Sequence, residues 1–356
     1  MLMWLLALAG IFACYFISEK QKNPRKFFLV SAGIVIVLIL GSRYFINGFT
    51  DEIAYNQLYQ GYSNISFEEL LHQRWNERDF GFYLTYWVMA QIVPWSQFPI
   101  YFITALFIFV TFRFIYKNTN ATLIPVLLMF AFGIFSFYMA AYRQCFAMCI
   151  CILAFEFAKK RGIRGLLPYA ILVYIATTFH ASALVFIPVY FFLRIKRNGI
   201  GYFAWVTSVL VTAFAGDVMM RYVADVFEKD TYLDTAVFSA TGLYIQMVLL
   251  AVPFIISFLG LAEDKNLSTI QHAFLVIISI GAIFLLYKFI YPTYERVSYY
   301  YSFFIIAAFS NSVVNLKQRK GEKNYVLPAQ MIVAVILIVL MLWRMPDDLV
   351  FFWQQN

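Results

Sequence analysis

The chain has 356 residues, of which 63% are hydrophobic and 13% are charged. Soluble globular domains are about 45–50% apolar and about 25% charged. The composition therefore excludes a soluble fold around one core and indicates that lipid is the solvent for most side chains. The net charge of +8 arises from short clusters of Lys and Arg between apolar runs, which argues against nucleic-acid binding and is typical of cytoplasmic loops in membrane proteins.

Four basic loops orient the predicted membrane spans. They comprise residues 18–26, 159–164, 194–197 and 317–323, and they hold more than half of the 27 Lys and Arg residues. Because cytoplasmic loops carry an excess of positive charge, we place all four loops in the cytoplasm. The first apolar run, residues 1–17, has no basic leading segment and no small-residue cleavage site, so we interpret it as a retained span and not as a signal peptide.

The apolar runs predict an all-α polytopic membrane protein with about twelve transmembrane helices, in a single integral membrane domain over residues 1–356. In chain order, the predicted spans are residues 1–17, 27–46, 98–116, 122–140, 142–158, two short helices within 166–193, 199–216, 243–262, 270–290, 297–315 and 325–343. The two short helices are predicted because basic clusters flank both ends of residues 166–193. They meet near His180, close to the outer surface.

Three segments outside the spans complete the predicted organisation. Residues 47–79 form the first periplasmic loop and residues 217–242 form the second. Residues 80–96 are apolar and aromatic, but only 14 residues precede Pro94. A full crossing there would invert the later topology, so we predict a re-entrant or juxtamembrane helix under the outer leaflet.

Three arginines at the predicted outer ends of spans are candidate substrate-binding residues: Arg43, Arg143 and Arg296. Charged residues beside membrane spans are costly, which makes them functional candidates. A guanidinium keeps its charge when partly desolvated and binds phosphate oxygens through a two-point fork. These arginines therefore predict an anionic substrate at the level of the lipid headgroups, and a pyrophosphate with a polyprenyl tail would suit such a site. The alternative is that they reach lipid phosphates or pair with neighbours such as Glu295.

His180 and the acids of the first outer loop are candidate catalytic residues. His180 could donate to phosphate or transfer a proton, because its charge changes near neutral pH. The alternative is a packed histidine that hydrogen-bonds a neighbour. Asp51 and Asp79 are candidate bases, since a carboxylate is the ordinary group for orienting or deprotonating an attacking hydroxyl. Glu52 directly follows Asp51, which leaves open which carboxylate acts, and solvated loop acids are the alternative for all three.

Several chemistries lack their sequence signatures. The chain contains no GxxxxGK[ST] loop, no Rossmann glycine pattern and no His or Cys spacing typical of a metal site. Its four cysteines lie in apolar segments, and we interpret them as small buried hydrophobes. We therefore predict no cofactor and no metal, and we expect the phosphate linkage of the donor to drive the reaction.

Short motifs that contain arginines, acids and glycines recur along residues 43–302. They are Arg43-Tyr44, then Gly48-Phe49-Thr50-Asp51 with Tyr55, Asp79-Phe80-Gly81-Phe82, Tyr142-Arg143-Gln144, Phe179-His180-Ala181-Ser182-Ala183-Leu184 with Pro188, and Arg296 with Tyr300. In order and spacing, this set resembles the EpsG family, the Wzy-like polymerases of bacterial exopolysaccharide and O-antigen synthesis.

The resemblance implies a GT-C-like membrane fold and a metal-independent enzyme that transfers a growing chain onto an undecaprenyl-pyrophosphate-linked sugar repeat. It also implies a bacterial inner-membrane location with the active site facing the periplasm and in contact with membrane lipid. A chain-length regulator protein is a candidate partner. We predict that Arg143 and Arg296 bind the pyrophosphate with help from Arg43, and that His180 positions or protonates the leaving group.

Two other classes of function remain open. A transporter of lipid-linked or free sugars would show charges or broken helices near mid-membrane, whereas the candidate charges here are predicted at one face. A sugar O-acyltransferase would use a His with acids, but several separated arginines exceed what acyl transfer requires. Both comparisons favour a polymerase.

Overall fold

The computed structural model describes residues 2–44, 50–226, 240–259, 268–288, 294–316, 326–344 and 351–354. Within these ranges the chain forms seventeen α-helices and no β-strand, which confirms the prediction of an all-α protein. The helices are α1 (Leu2–Ser18), α2 (Pro24–Gly41), α3 (Thr50–Tyr62), α4 (Phe67–Arg74), α5 (Phe80–Ile92), α6 (Phe98–Asn118), α7 (Ile124–Ala131), α8 (Ile134–Ala140), α9 (Tyr142–Ala158), α10 (Ile163–Thr177), α11 (Val189–Phe192), α12 (Gly199–Val226), α13 (Ala240–Phe258), α14 (Ser268–Tyr287), α15 (Tyr294–Ser302), α16 (Ile305–Val314) and α17 (Val326–Arg344). Short 3-10 helices cover Ala181–Phe186 and Phe352–Gln354.

Length and apolar composition identify the helices that can cross a membrane. Three described helices qualify as single spans: Pro24–Gly41, Phe98–Asn118 and Ile270–Tyr287. The consecutive helices Tyr294–Ser302 and Ile305–Val314 qualify together, as one span bent by 45°. These findings agree with a membrane protein, while the count of about twelve spans stays a prediction.

The start and the end of α2 both follow from local chemistry. The Asn23 side chain accepts a hydrogen bond from the backbone N–H of Lys26 at 3.2 Å. Pro24 occupies the first helical position, where its missing N–H costs no hydrogen bond. At the other end, a Cβ on Gly41 would lie 2.5 Å from Cδ1 of Tyr101. The last turn of α2 therefore packs closely against Tyr101 of α6.

Two predicted spans are interrupted. The predicted helix over 122–140 is divided into α7 and α8, because Gly133 between them adopts a φ of 83°, a left-handed conformation that ends an α-helix. The predicted helix over 297–315 is divided into α15 and α16. Each predicted span is therefore divided into two helices, and the pair α15 and α16 still qualifies together as one bent span.

The region around His180 breaks as predicted, but its second half differs from the prediction. α10 ends at Thr177, and a turn leads to the 3-10 helix Ala181–Phe186 and the one-turn α11. These two elements together form the short apolar helical stretch Ala181–Phe192, so the second predicted helix is present in an irregular form. Pro188 precedes α11 and has no backbone N–H with which to continue a helical ladder.

The predicted outer loops contain helices. Residues 47–79 include α3 and α4, and both pack on α5. α5 covers most of the predicted re-entrant segment 80–96 and ends before Pro94, and its re-entry into the membrane stays a prediction. Residues 47–49 of the first predicted loop, 227–239 of the second and the basic loop 317–323 lie outside the described residues.

The chain divides into two compact units. Unit 1 comprises Met1–Asn118, Phe135–Leu184 and Leu340–Asn356, and unit 2 comprises Thr119–Ile134 and Val185–Val339. In unit 1, α1 packs on α2, α2 on α6, α6 on α9 and α9 on α10. In unit 2, α14 packs against α12, α15 and α16. A Cβ on Gly281 of α14 would lie 2.8 Å from the backbone N of Ser302, so α14 and α15 approach each other at the level of the backbone.

Candidate functional site

A buried ion pair joins the end of α2 to the start of α3 in unit 1. Nη2 of Arg43 lies 2.6 Å from Oε1 of Glu52, and Nε of Arg43 lies 3.1 Å from the same oxygen. Both side chains are 0% exposed. We name Arg43 and Glu52 the closed pair, because water reaches neither side chain.

Hydrogen-bond partners surround the closed pair. The Tyr142 hydroxyl donates to Oε1 of Glu52 at 2.6 Å and accepts from Nη2 of Arg43 at 3.1 Å. Nη1 of Arg43 donates to the Leu40 carbonyl at 2.9 Å and to Oγ1 of Thr104 at 3.2 Å. A buried charge is tolerated only with partners of this kind, so the position of the guanidinium is narrowly defined.

The backbone at Arg43 is also held in place. Nε2 of Gln97 donates to the Arg43 carbonyl at 2.7 Å. The backbone N–H of Phe352 donates to the Ser42 carbonyl at 2.9 Å, and Arg43 forms an isolated β-bridge with Phe351. The Arg43 side chain therefore extends from a fixed point of the chain.

A second and more exposed ion pair joins α5 to α9. Nη1 of Arg143 lies 2.8 Å from Oδ2 of Asp79, and the two side chains are 33% and 9% exposed. Asp79 is the N-cap residue of α5, where the helix dipole favours an acid. Arg143 also interacts with the Tyr55 hydroxyl of α3. Burial raises the pKa of that phenol, so Tyr55 is protonated at neutral pH. We name Arg143 and Asp79 the open pair.

One step along α9 separates the two pairs. Tyr142 contacts the closed pair, Arg143 belongs to the open pair, and the two residues are consecutive in the first turn of α9. The Tyr55 ring stacks on the Tyr142 ring with centroids 4.9 Å apart and an interplanar angle of 7°. Because Tyr55 and Glu52 both lie on α3, this helix contacts both pairs.

Asp51 and His180 are the other candidate catalytic residues of unit 1. Asp51 is half-buried and directly precedes Glu52 in the first turn of α3. His180 is half-buried in the turn that follows α10. The backbone N–H of Gly81 donates to the Thr178 carbonyl at 2.9 Å, so this turn lies against the start of α5.

Arg296 belongs to unit 2 and occupies an exposed position on α15. Its neighbour Glu295 is bound by Nζ of Lys288 at 2.5 Å, by Nε2 of Gln246 at 3.3 Å and by the Tyr299 hydroxyl at 3.3 Å. The predicted site residues of unit 1 are Arg43, Asp51, Asp79, Arg143 and His180.

A model of the EpsG family matches residues 26–354, nearly the whole chain. The chain belongs to the EpsG family. EpsG-family proteins are Wzy-like polymerases, which confirms the resemblance of the motifs and indicates a multi-pass membrane protein of polysaccharide biosynthesis. No curated protein and no solved structure matches the chain.

Among the residues that the structure describes, no group of three or more His, Cys, Asp and Glu side chains could hold a metal ion. Near the two pairs, Glu52 is bound by Arg43 and Asp79 by Arg143. The arrangement can support anion binding by guanidinium groups and proton transfer by a carboxylate or an imidazole.

Sequence patterns miss three residues that shape this EpsG-family site. Thr104 and Gln97 contact Arg43 across 61 and 54 residues, and nothing in the sequence near either residue signals that contact. Tyr142 lies beside Arg143 in one of the motifs, and this adjacency is the signal that could have identified it. The position of Glu52, left open by the sequence, is in the closed pair.

Proposed function

We propose that this EpsG-family chain is a glycosyltransferase that joins undecaprenyl-pyrophosphate-linked oligosaccharide repeats into O-antigen or exopolysaccharide at the periplasmic face of the bacterial inner membrane. The observation that carries this proposal is the open pair, in which Arg143 is 33% exposed beside Asp79. A partly exposed guanidinium suits pyrophosphate, because its planar fork binds two phosphate oxygens at once.

In the proposed reaction, an acceptor sugar hydroxyl attacks the anomeric carbon of the donor sugar. A new C–O bond forms, the bond from that carbon to the pyrophosphate oxygen breaks with inversion, and undecaprenyl pyrophosphate leaves with the electron pair. Arg143 and Arg296 stabilise the charge on the leaving group. Asp51 or Asp79 takes the hydroxyl proton, while His180 positions or protonates the leaving group.

Burial separates the roles that we propose for neighbouring residues. Glu52 is 0% exposed and Asp51 is half-buried, so Asp51 is the better placed of these two acids to meet an acceptor hydroxyl. Arg43 is also 0% exposed. Its help to pyrophosphate binding therefore acts through neighbouring residues and not by direct contact.

The finer membrane features belong to the same proposal: about twelve spans, a GT-C-like arrangement, basic loops in the cytoplasm and a chain-length regulator protein as partner. The shorter apolar helices that accompany the clear spans support the larger number of spans. An impermeant maleimide added outside should label a cysteine at Gln57 of α3, but not one at Lys160, in a background without the native cysteines. The reverse pattern would invert the orientation.

Gene deletion and purified protein test the reaction. Without the gene, single repeats should accumulate on the lipid carrier while long chains vanish. Purified protein should lengthen a lipid-linked repeat, and EDTA should leave the rate unchanged if the transfer is metal-independent. Loss of the rate in EDTA, with recovery on adding a divalent cation, would contradict metal independence.

Substitution of the acids tests proton transfer. Asp51→Asn or Asp79→Asn should lower turnover about 10²–10⁴-fold with binding of the lipid-linked repeat retained, and His180→Ala should weaken both. Glu68→Gln, at an exposed acid of α4, is the matched control and should keep wild-type turnover. If both Asp variants are fully active, no carboxylate acts as base, and substrate alignment with arginine stabilisation accounts for the rate.

A transporter of lipid-linked sugars is the alternative that one observation favours. The helix pair α15–α16 is bent by 45°, and broken helices are typical of secondary transporters. Vesicles with purified protein separate the two functions. A transporter moves the lipid-linked repeat across the bilayer without lengthening it, whereas a polymerase lengthens it.

A further inference from the structure

The closed pair is poorly suited to stabilising the fold by itself. Taking two charged side chains such as Arg43 and Glu52 out of water carries a desolvation penalty that can exceed their attraction, and well-packed apolar residues often replace such pairs without loss. Two donors from different segments nevertheless converge on Oε1 of Glu52, Arg43 at 2.6 Å and Tyr142 at 2.6 Å. This convergence fixes the distances between the segments, because neither donor can move without breaking a short bond.

Two buried residues of this network each have an accessible neighbour with proposed chemistry. Asp51 precedes Glu52 on α3, and Arg143 follows Tyr142 on α9. Glu52 and Tyr142 are 0% and 1% exposed, whereas Arg143 is 33% exposed. The hydrogen bond from Tyr142 to Glu52 therefore connects α3, which carries the candidate base Asp51, to α9, which carries Arg143, the candidate residue for binding pyrophosphate.

The ring and the hydroxyl of Tyr142 contribute separately. The ring stacks on Tyr55 at 4.9 Å, and this contact needs no hydroxyl. The hydroxyl bonds Glu52 and Arg43, and these contacts set the register of α9 against α3. A substitution that removes only the hydroxyl oxygen therefore tests the helix register while leaving the ring packing in place.

We propose that Glu52, Tyr142 and Arg43 are positioning residues that hold Asp51 and Arg143 at the spacing that sugar transfer requires. They act through their neighbours and do not contact the substrate. This inference rests on the proposed function where it is tested by turnover. A measurement of the distance between α3 and α9 tests it without assuming that function.

Tyr142→Phe is the decisive variant, because it keeps the ring and removes the hydroxyl. Tyr86→Phe is the matched control. Tyr86 is also 1% exposed, and its hydroxyl has no hydrogen-bond partner among the residues that the structure describes. In full-length protein with a purified lipid-linked repeat, Tyr142→Phe should lower kcat about 10- to 100-fold, with KM and the thermal unfolding midpoint close to wild type. Tyr86→Phe should leave all three unchanged.

A packing role would change different quantities. Tyr142→Phe would then lower the unfolding midpoint and the amount of folded protein, while kcat per folded molecule would equal that of wild type. That result overturns the proposal. If Tyr142→Phe does not accumulate, the double variant Arg43→Met with Glu52→Leu replaces it under the same criteria, because it removes the hydrogen bonds of the network and leaves no uncompensated buried charge.

A distance measurement separates failure of this inference from failure of the proposed function. Spin labels on cysteines at Gln57 of α3 and Lys160 beyond α9, both exposed, report the register of the two helices. Wild type and Tyr86→Phe should give one narrow distribution, and Tyr142→Phe a broader or shifted one. Identical distributions in all three overturn the positioning role, whatever the activity. A wild type that joins no repeats, combined with the expected broadening, overturns the proposed function and supports the positioning role.

Discussion

The two ion pairs of unit 1 use the same chemistry in different surroundings. In the closed pair, Arg43 and Glu52 are both 0% exposed, whereas in the open pair Arg143 is 33% and Asp79 is 9% exposed. The Arg43 guanidinium of the closed pair donates its hydrogen bonds to protein atoms. The Arg143 guanidinium of the open pair is instead partly exposed. An arginine predicted near the outer membrane surface is therefore not a ligand by position alone, because access decides what it can bind.

The largest expected effect is on stability, and it separates the pairs most clearly. Arg43→Ala leaves Glu52 as an uncompensated buried charge and should lower the free energy of unfolding by about 3–5 kcal/mol. Arg143→Ala should lower it by about 1 kcal/mol, because water reaches that pair. Denaturant unfolding in detergent micelles measures both. The double variant Arg43→Met with Glu52→Leu should recover most of the lost free energy of unfolding. Equal losses for Arg43→Ala and Arg143→Ala would contradict the difference in burial between the two pairs.

The next effect is on turnover, and it reverses the order of the pairs. Arg143→Ala should lower kcat about 10²–10³-fold, because the charge on the leaving pyrophosphate loses a donor. Arg143→Lys should also lose activity, since Lys lacks the planar fork. Initial rates, normalised to protein in the membrane, measure this effect. Arg161→Ala, at an exposed arginine between α9 and α10, is the control. If Arg143→Ala still makes polymer of wild-type length, Arg143 does not bind the substrate and contacts only lipid phosphates.

A smaller effect is expected from Gly81→Ala, which disturbs only the open pair. A Cβ on Gly81 would lie 2.4 Å from Oγ1 and 3.0 Å from the carbonyl O of Thr178, so α5 must move away from the turn that carries His180. Such overpacking should destabilise by about 1–3 kcal/mol and lower turnover by displacing Asp79. Gly61→Ala, with nothing within 4 Å, should instead be neutral or stabilise α3 by about 0.5–1 kcal/mol. Equal unfolding curves for the two variants would show that α5 is not held at this turn.

The smallest effect is expected in α4, an exposed helix outside both pairs. Its Ser66 side chain accepts from the Glu69 N–H at 3.2 Å, and the Glu69 carboxylate accepts from the Ser66 N–H at 2.6 Å. The latter bond holds the pKa of Glu69 below its usual value. The contribution of this hydrogen bond to the stability of the folded protein is therefore fully present above the Glu pKa of the unfolded chain, about 4.3. It is lost as the pH falls through the lower pKa that Glu69 has in the folded protein. Ser66→Ala should accelerate hydrogen exchange within α4, and any loss of turnover would contradict the separation of α4 from the site.

Hydropathy predicts the long helices well and their breaks poorly. The predicted spans 27–46, 98–116 and 270–290 correspond to α2, α6 and α14, because a helix that crosses lipid needs a long apolar run. The break at Gly133 depends on a backbone conformation with φ of 83°. Apolar composition does not encode such a conformation, so sequence patterns make α7 and α8 look continuous.

Individual site residues stand out in the sequence, but their pairing does not. The arginines, acids and His180 are conspicuous because charge is costly beside membrane spans. Pairing depends on contacts between distant segments, since Tyr142 reaches Glu52 across 90 residues and Arg143 reaches Asp79 across 64. For this reason, the burial of Glu52 against Arg43 could not be predicted from local patterns.

The bridge from Phe351 to Arg43 affects how unit 1 is completed during synthesis. The Phe352 N–H that bonds Ser42 emerges from the ribosome long after Arg43, and the unit 2 segment Val185–Val339 is made in between. At about 5–20 residues per second, the delay is roughly 15–60 s. Unit 1 is therefore finished only after all of unit 2 has been translated. A chain that stops before Phe351 would lack both the bridge to Arg43 and the hydrogen bond to Ser42, so its Arg43 region would stay incomplete.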